Sequence, residues 1–360
     1  MQSEKTGNVP YLDGWRGIAI ICVLIGHFSP KISLFQTGYI GPLGVTLFFV
    51  LSGYFMGRIL FIKRTKIIPF FARRFIRIVP TMWFYVTVVY FYSKYFLPVP
   101  YSIPLDELIP TYVFLSTYIP ATVSVWANKW PNGHLWSLNV EEHCYAYLAL
   151  GAVIIRKFDH FVVKYIFLLG SVIIVFVITL LYVSGWLESA VASPFRAHTE
   201  VASLGLLAAA AYVGLGFKAS ENWWGKSPLV PLIALAIAIR VCVPRYTFTT
   251  DLTILVAPIF AAIAVNHAEN FPSILKKIMS TSILRWFGRC SFSIYLWQQP
   301  FFFLCLNYRF NHAWGVLLGV ALGSASFYLI ENPSRNFLTR KWQLLEQQYY
   351  QKGRLAGDPA

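Results

Sequence analysis

Long apolar runs follow one another along the whole chain, from near residue 13 to near residue 331, and short polar segments separate them. A membrane-spanning α-helix needs about 20 consecutive apolar residues. The pattern therefore predicts an all-α fold, a polytopic transmembrane bundle of about ten spanning helices. The predicted spans lie near 13–30, 41–61, 78–97, 136–155, 165–184, 199–217, 229–243, 252–267, 291–308 and 313–331.

The proline-rich segment 98–135 interrupts this pattern. We interpret it as a long outer loop, with a re-entrant piece near 111–119. Because it is the longest predicted outer segment and leads directly into the next span, it is our first candidate for the place where an acceptor is held.

Composition supports a membrane protein and sets its orientation. Hydrophobic residues make up 57% and charged residues 12% of the chain, whereas soluble proteins average roughly 45–50% and 25%. The formal net charge of +15 does not indicate nucleic-acid binding, which needs a basic water-exposed face, because the basic residues lie between the apolar runs. With both termini cytoplasmic, the inner segments hold 21 Lys and Arg and the outer segments 6, as the positive-inside rule requires.

We predict three regions: a cytoplasmic tail over 1–10, a transmembrane domain over 11–337, and a cytoplasmic tail over 338–360. No signal peptide is expected, because the first apolar run continues into the second without a small-residue cleavage site.

Three ionisable residues, Asp13, Arg16 and His27, lie in the first predicted span. Such residues are costly in a membrane and mark a functional interior. At 100° per residue, Arg16 and His27 point within about 20° of each other and lie about 16 Å apart along the helix, and Asp13 is three residues before Arg16. The three predict a polar track into the membrane. An alternative for Asp13 and Arg16 is anchoring at the interface.

Two later segments carry further candidates. In FFARRFIRIVP, the guanidinium groups of Arg73, Arg74 and Arg77 can converge at the inner boundary and suit phosphate recognition; ordinary positive-inside anchoring is the alternative. In HLWSLNVEEHCYAY, Glu141 and Glu142 are either partners of a buried arginine or participants in proton transfer. Since helix neighbours diverge by about 100°, we expect only one of the two to point inward.

Several catalytic motifs are absent from the sequence, namely GxSxG, GxxxxGK[ST], HExxH and GxGxxG. Their absence disfavours covalent serine catalysis, ATP hydrolysis and a metal site, so no metal is predicted.

Five motifs, in order, resemble the acyltransferase 3 family, which includes bacterial O-antigen and exopolysaccharide O-acetylases. The motifs are YLDGWRGIAIICVLIGHF, GVTLFFVLSGYF, FFARRFIRIVP, LWSLNVEEHCY and GRCSFSIYLWQQPFF, with ENPSRN at the end of the last span. The resemblance covers nearly all of residues 10–337. The soluble domain that is fused to some relatives is not expected after the last span.

The resemblance implies a multi-pass enzyme of the bacterial inner membrane that moves an acyl group, usually acetyl, from cytoplasmic acyl-CoA to a sugar hydroxyl. The acceptor would be O-antigen, exopolysaccharide or a lipid-linked glycan. Acyl-CoA would be a donor substrate, and no cofactor would be bound permanently. A family histidine is replaced here by Gln298. The residues carried over or added as candidates are His27, Arg16, Asp13 and Glu141 for catalysis, Arg73, Arg74 and Arg77 for the donor, and Trp136, Glu142 and Tyr295 for substrate, within a signature that also includes Ser137 and Leu138.

Our hypothesis is that the three arginines hold the CoA phosphates and that His27 acts as a general base, since neutral imidazole suits this role near pH 7. A transient acyl-His is an alternative. Arg16 would position the donor, Asp13 would orient Arg16, and Glu141 would pair with a cation or relay a proton.

Other functions stay open from the sequence. The acceptor could instead be peptidoglycan, glucan, a lipid-linked precursor or a small natural product such as a macrolide. A proton-coupled transporter or flippase could also use buried Arg, His and Glu, although the sequence shows no inverted repeat.

Overall fold

The computed structural model describes residues 10–29, 40–98, 101–118, 131–186, 203–217, 226–242 and 249–355. Within these ranges every regular element is a helix. The α-helices are α1 (Pro10–Phe28), α2 (Ile40–Gly57), α3 (Ile67–Phe96), α4 (Leu105–Tyr112), α5 (Trp136–Phe158), α6 (Phe161–Val183), α7 (Ser203–Gly214), α8 (Leu229–Cys242), α9 (Thr249–Asn266), α10 (Ser273–Met279), α11 (Ser282–Tyr308), α12 (His312–Ser326) and α13 (Asn332–Leu355).

Helices overlap all ten predicted spans, and the chain is a multi-pass membrane protein. Five helical stretches are long and apolar enough to cross a membrane, and α7, α8 and part of α9 are shorter apolar helices. The number ten and the cytoplasmic termini stay predictions. The five stretches are Pro10–Phe28, Ile40–Ile62, Ile67–Phe96, Phe161–Tyr182 and His312–Gln348.

The segment between α3 and α5 differs from the predicted outer loop. The predicted re-entrant piece, 111–119, overlaps the end of α4 at Tyr112 and the 3-10 turn Ser116–Tyr118, and its re-entrance stays a prediction. Pro104 precedes α4, where a missing backbone N–H costs nothing. Residues 99–100 and 119–130 of the loop lie outside the described residues.

The structure describes only the second of the two predicted cytoplasmic tails over most of its length. Residues 1–9 lie outside the described part of the chain. The C-terminal tail, predicted from residue 338, starts inside α13, which continues to Leu355. A π-helical turn at Phe327–Glu331 joins α12 to α13.

Helix α1 packs against α11 so closely that backbone atoms of the two helices are in contact. A Cβ atom on Gly17 would lie 2.1 Å from the carbonyl oxygen of Leu284, and one on Gly288 would lie 1.9 Å from the carbonyl oxygen of Asp13. Small residues allow this approach in membrane bundles, where close van der Waals packing holds helices together. The contact fixes the register between the two helices that carry Arg16 and Tyr295.

We expect Gly288→Ala to destabilise the protein by about 1–3 kcal/mol, the usual cost of forcing an extra group into a packed interface. Gly170→Ala is the matched control, because a Cβ atom there meets nothing within 4 Å and alanine favours helices by up to about 1 kcal/mol. Thermal unfolding of the purified proteins in detergent measures the difference. Equal melting temperatures for the two variants would contradict backbone contact between α1 and α11.

Candidate active site

A cavity of about 880 Å³ lies among α1, α2, α3, α5 and α11, within the range of about 300–1,000 Å³ that is typical of ligand pockets. It extends from Arg58, directly after the end of α2, to Val45 within α2, a distance of about 20 Å at the helical rise per residue. Arg58 and Lys63 lie at the end near the start of α1, and Ser137 and Tyr295 line the opposite, inner end. The ionisable side chains lining it are Asp13, Arg16, Arg58, Lys63, Arg74, Arg77, Glu141 and Glu269, with the phenols Tyr11, Tyr54, Tyr145 and Tyr295.

Arg74 lies in a buried ion-pair cluster on one wall of this cavity. Its guanidinium is 3.0 Å from Glu142 and 3.6 Å from Glu141, and it stacks 3.9 Å above the ring of Tyr145. The hydroxyls of Ser52 and Tyr145 both donate to Glu141. The expectation that only one glutamate points inward is wrong, because two long neighbouring side chains reach the same guanidinium.

Arg16 and Arg77 are different from Arg74, because neither forms an ion pair or hydrogen bond with another described residue. Both line the cavity, and the guanidinium of Arg16 lies 5.0 Å from the ring of Phe55. An unpaired charge within a membrane protein is costly. Two such cations facing one cavity have the charge that suits an anionic ligand.

Two sequence candidates are placed differently from expectation. Arg73 is exposed and does not line the cavity, so the three arginines do not converge. Asp13 lines the cavity, yet it forms no ion pair with Arg16 among the described residues, and its Oδ2 is buried without a hydrogen bond there. The proposed orienting of Arg16 by Asp13 is therefore not seen.

The candidate substrate residue Trp136 is buried in a core cluster with Phe49 and Tyr145, outside the cavity lining. Glu142 also lies outside the lining and reaches the site only through Arg74. Tyr295, by contrast, lines the cavity directly.

Tyr295 and Ser137 form the inner end of the cavity. Their hydroxyl oxygens are 2.7 Å apart, and the hydroxyl of Tyr295 donates to the backbone oxygen of His134 at 3.0 Å. His27 is not among the residues that line the cavity.

His27, near the end of α1, lies against Gln298, which is one turn beyond Tyr295 on α11. Its Nδ1 is 2.8 Å from Oε1 of Gln298, and its ring stacks on Phe302 with centroids 4.3 Å apart. The amide nitrogen of Gln298 faces two acceptors at 3.4 Å, the backbone oxygen of Tyr295 and Oε1 of Gln299. In this orientation the amide oxygen of Gln298 points toward His27.

The hydrogen bond from His27 fixes its tautomer. An amide oxygen only accepts, so Nδ1 carries the proton, and Nε2 keeps a lone pair that can accept one. Gln298 therefore does for His27 what a carboxylate does in a catalytic triad, without adding a charge. The sequence indicated only that a family histidine is missing at this position.

A model of the acyltransferase domain family matches residues 9–330. The chain belongs to this acyltransferase family.

Curated relatives extend the comparison. The chain is 29% identical, over 358 residues, to the peptidoglycan O-acetyltransferase OatA of Listeria monocytogenes, covering 91% of this chain and 56% of that protein. It is 25% identical, over 358 residues, to the O-acetyltransferase OatA of Staphylococcus aureus (strain NCTC 8325 / PS 47), covering 91% and 57% respectively. The chain thus spans little more than half the length of these relatives. No solved structure matches it.

If His27 is the base of an acyl transfer, we expect Gln298→Leu to lower kcat by about 10²–10⁴-fold, because a general base contributes about that much and leucine leaves the tautomer of His27 unfixed. Gln298→Glu keeps an acceptor for Nδ1 and adds a negative charge that favours protonated His27. The acidic limb of its pH–rate profile should therefore shift to higher pH, with activity recovering in alkali. A Gln298→Leu enzyme with wild-type kcat would show that the hydrogen bond has no part in turnover.

Proposed function

We propose that the protein is a membrane-embedded O-acyltransferase that moves an acyl group, acetyl in the simplest case, from acyl-CoA to a hydroxyl of a cell-envelope carbohydrate. The observation that carries this proposal is the cavity with unpaired Arg16 and Arg77, whose inner end at Tyr295 lies one helical turn from Gln298, the hydrogen-bond partner of His27. Membership of the acyltransferase family and the O-acetyltransferase relatives support the reaction class.

The donor is proposed to enter from the end of the cavity near Arg58 and Lys63. Arg16 and Arg77 then bind the CoA phosphates, since a guanidinium fork matches two phosphate oxygens. The sequence predicts that Arg73, Arg74 and Arg77 together bind the CoA phosphates. The assignment differs because Arg73 lies outside the cavity and Arg74 is already paired with two glutamates. Arg74 instead stabilises the wall of the cavity through its contacts with α5.

His27 is proposed as the general base. The pantetheine arm follows the cavity to Tyr295 and Ser137, and displacement of that pair brings the thioester carbon to His27. Nε2 of His27 takes the proton of the acceptor hydroxyl while the hydroxyl oxygen forms a bond to the thioester carbon. The carbon–sulfur bond then breaks, and the proton passes from Nε2 to the CoA thiolate. The products are the O-acyl sugar and CoA.

The acceptor is proposed to be a glycan of the bacterial cell envelope, with peptidoglycan the first candidate, because the Listeria relative is named for that substrate. His27 is close to the end of α1 that is opposite the donor entrance, about 16 Å beyond Arg16 along the helix. An acceptor would therefore approach from the far side of the cytoplasmic membrane, which is the proposed location of the enzyme.

Transfer of labelled acetyl from acetyl-CoA to soluble peptidoglycan strands, by the protein in lipid nanodiscs, tests this function. We expect His27→Ala to lower transfer by about 10²–10⁴-fold, which is the usual contribution of a general base, without changing the KM for acetyl-CoA. Arg77→Gln should raise that KM by about tenfold or more, because hydrogen bonds to charged groups contribute about 1.5–3 kcal/mol.

Arg289→Gln is the control for loss of one positive charge, since Arg289 is exposed and lies outside the cavity. Its kinetics should equal those of wild type. Transfer that survives His27→Ala unchanged would contradict the chemistry. Glycolipid flipping by wild-type protein without acetyl-CoA, and no transfer, would favour the transporter alternative.

A further inference from the structure

His134 is a buried histidine that neither lines the cavity nor belongs to the ion-pair cluster of Arg74. It lies in the 3-10 turn Gly133–Leu135 that precedes α5, and its side chain is only 5% exposed. Both ring nitrogens are buried, and neither makes a hydrogen bond within the described part of the chain. Buried polar atoms almost always have a partner, so an orphaned imidazole requires an explanation.

The ring of His134 lies beside the transfer site. Its centroid is 4.9 Å from that of Tyr295, whereas His27 bonds to Gln298. Tyr295 and Gln298 are three residues apart on α11, and side chains at this spacing are neighbours on one helical face. The two imidazoles therefore contact neighbouring side chains of the same helix. His134 contacts Tyr295, which lines the cavity, and His27 contacts Gln298.

Aromatic contacts hold His134 in a fixed orientation. The ring of Tyr85 meets it edge-on at 5.7 Å, and the hydroxyl of Tyr85 donates to the backbone oxygen of Pro131 at 2.9 Å. Tyr85 also packs edge-on against Trp297 at 5.2 Å. The indole N–H of Trp297 is likewise buried without a hydrogen-bond partner among the described residues. Tyr85 thus contacts two rings, His134 and Trp297, that carry unsatisfied nitrogens.

We propose that His134 is the acceptor-binding group of the transfer site and hydrogen-bonds a second polar group of the sugar whose reacting hydroxyl faces His27. This inference rests on the proposed function. A neutral imidazole offers one donor and one acceptor, and a sugar hydroxyl can satisfy either. The substrate class is therefore a carbohydrate with a hydrogen-bonding group close to the acylated hydroxyl, and an isolated alcohol fits poorly.

His134→Phe tests the proposal, because phenylalanine keeps the ring contacts with Tyr85 and Tyr295 and removes both nitrogens. With acetyl-CoA and soluble peptidoglycan strands, we expect the KM for the strands to rise by about tenfold or more. The KM for acetyl-CoA should stay within twofold of wild type, as should the slow hydrolysis of acetyl-CoA without acceptor. His134→Gln keeps a donor and an acceptor and should recover part of the loss.

A simple alcohol separates binding from chemistry. Acetyl transfer to ethanol should be slow and equal in wild type and His134→Phe, because ethanol has no second group for His134 to bind. His312→Phe repeats the same change at a half-buried histidine at the start of α12 and should leave all constants unchanged.

The outcomes distinguish the inference from the function on which it rests. If wild-type protein transfers no acetyl to strands or ethanol, the proposed function fails. If wild type transfers and His134→Phe keeps the wild-type KM for strands, or changes the KM for acetyl-CoA equally, the acceptor role of His134 is wrong. Should His134→Phe fail to fold, His134→Leu also removes both nitrogens, and a His134→Leu enzyme with the wild-type KM for strands would overturn it.

Discussion

The backbone contact between α1 and α11 is the constraint on which the site depends. Gly17 and Gly288 leave no space for a Cβ atom, so the two helices approach as closely as peptide groups allow. Side chains on each helix then meet the other at a fixed height. Arg16 lines the cavity with Tyr295, and His27, three helical turns beyond Arg16 on α1, bonds to Gln298, one turn beyond Tyr295 on α11. A wider separation would break the 2.8 Å hydrogen bond that fixes the tautomer of His27.

Charge pairing divides the arginines of the site into two kinds. Arg74 has two carboxylates and an aromatic face around it, so its charge is satisfied within the protein and its role is structural. Arg16 and Arg77 have no such partners in the described part of the chain and face the same cavity. An anionic donor would satisfy both of them, since in a medium of low polarity each charge interacts strongly with a bound phosphate.

Much of the architecture follows from the sequence, because apolar runs of spanning length and the helical period determine which segments become helices and which residues share a face. A buried arginine as the partner of Glu141 also follows, as one of the two roles that the sequence leaves open, since an intramembrane carboxylate requires a partner. The identity of that partner does not, because periodicity gives the direction of a side chain within one helix but not its neighbours on another. Arg73 and Arg74 have almost the same sequence context, yet one is exposed and the other is buried.

Residues whose role depends on contacts between helices were the hardest to predict. From the sequence, Gln298 is only the replacement of a family histidine, whereas in the structure its amide oxygen accepts a hydrogen bond from His27. Trp136 belongs to a motif that resembles the family signature and packs in the core. His134 precedes that motif and has no local signal, because its two unsatisfied nitrogens become visible only when α5 and α11 are packed together.

The most direct test of this account is a cryo-EM structure of the protein in nanodiscs with a non-hydrolysable acetyl-CoA analogue. The account predicts density along the cavity, with phosphates at Arg16 and Arg77 and the acetyl end at Tyr295 and Ser137, facing His27. Density that lies outside this cavity, or that runs in the opposite direction with the acetyl end at Lys63, would contradict it.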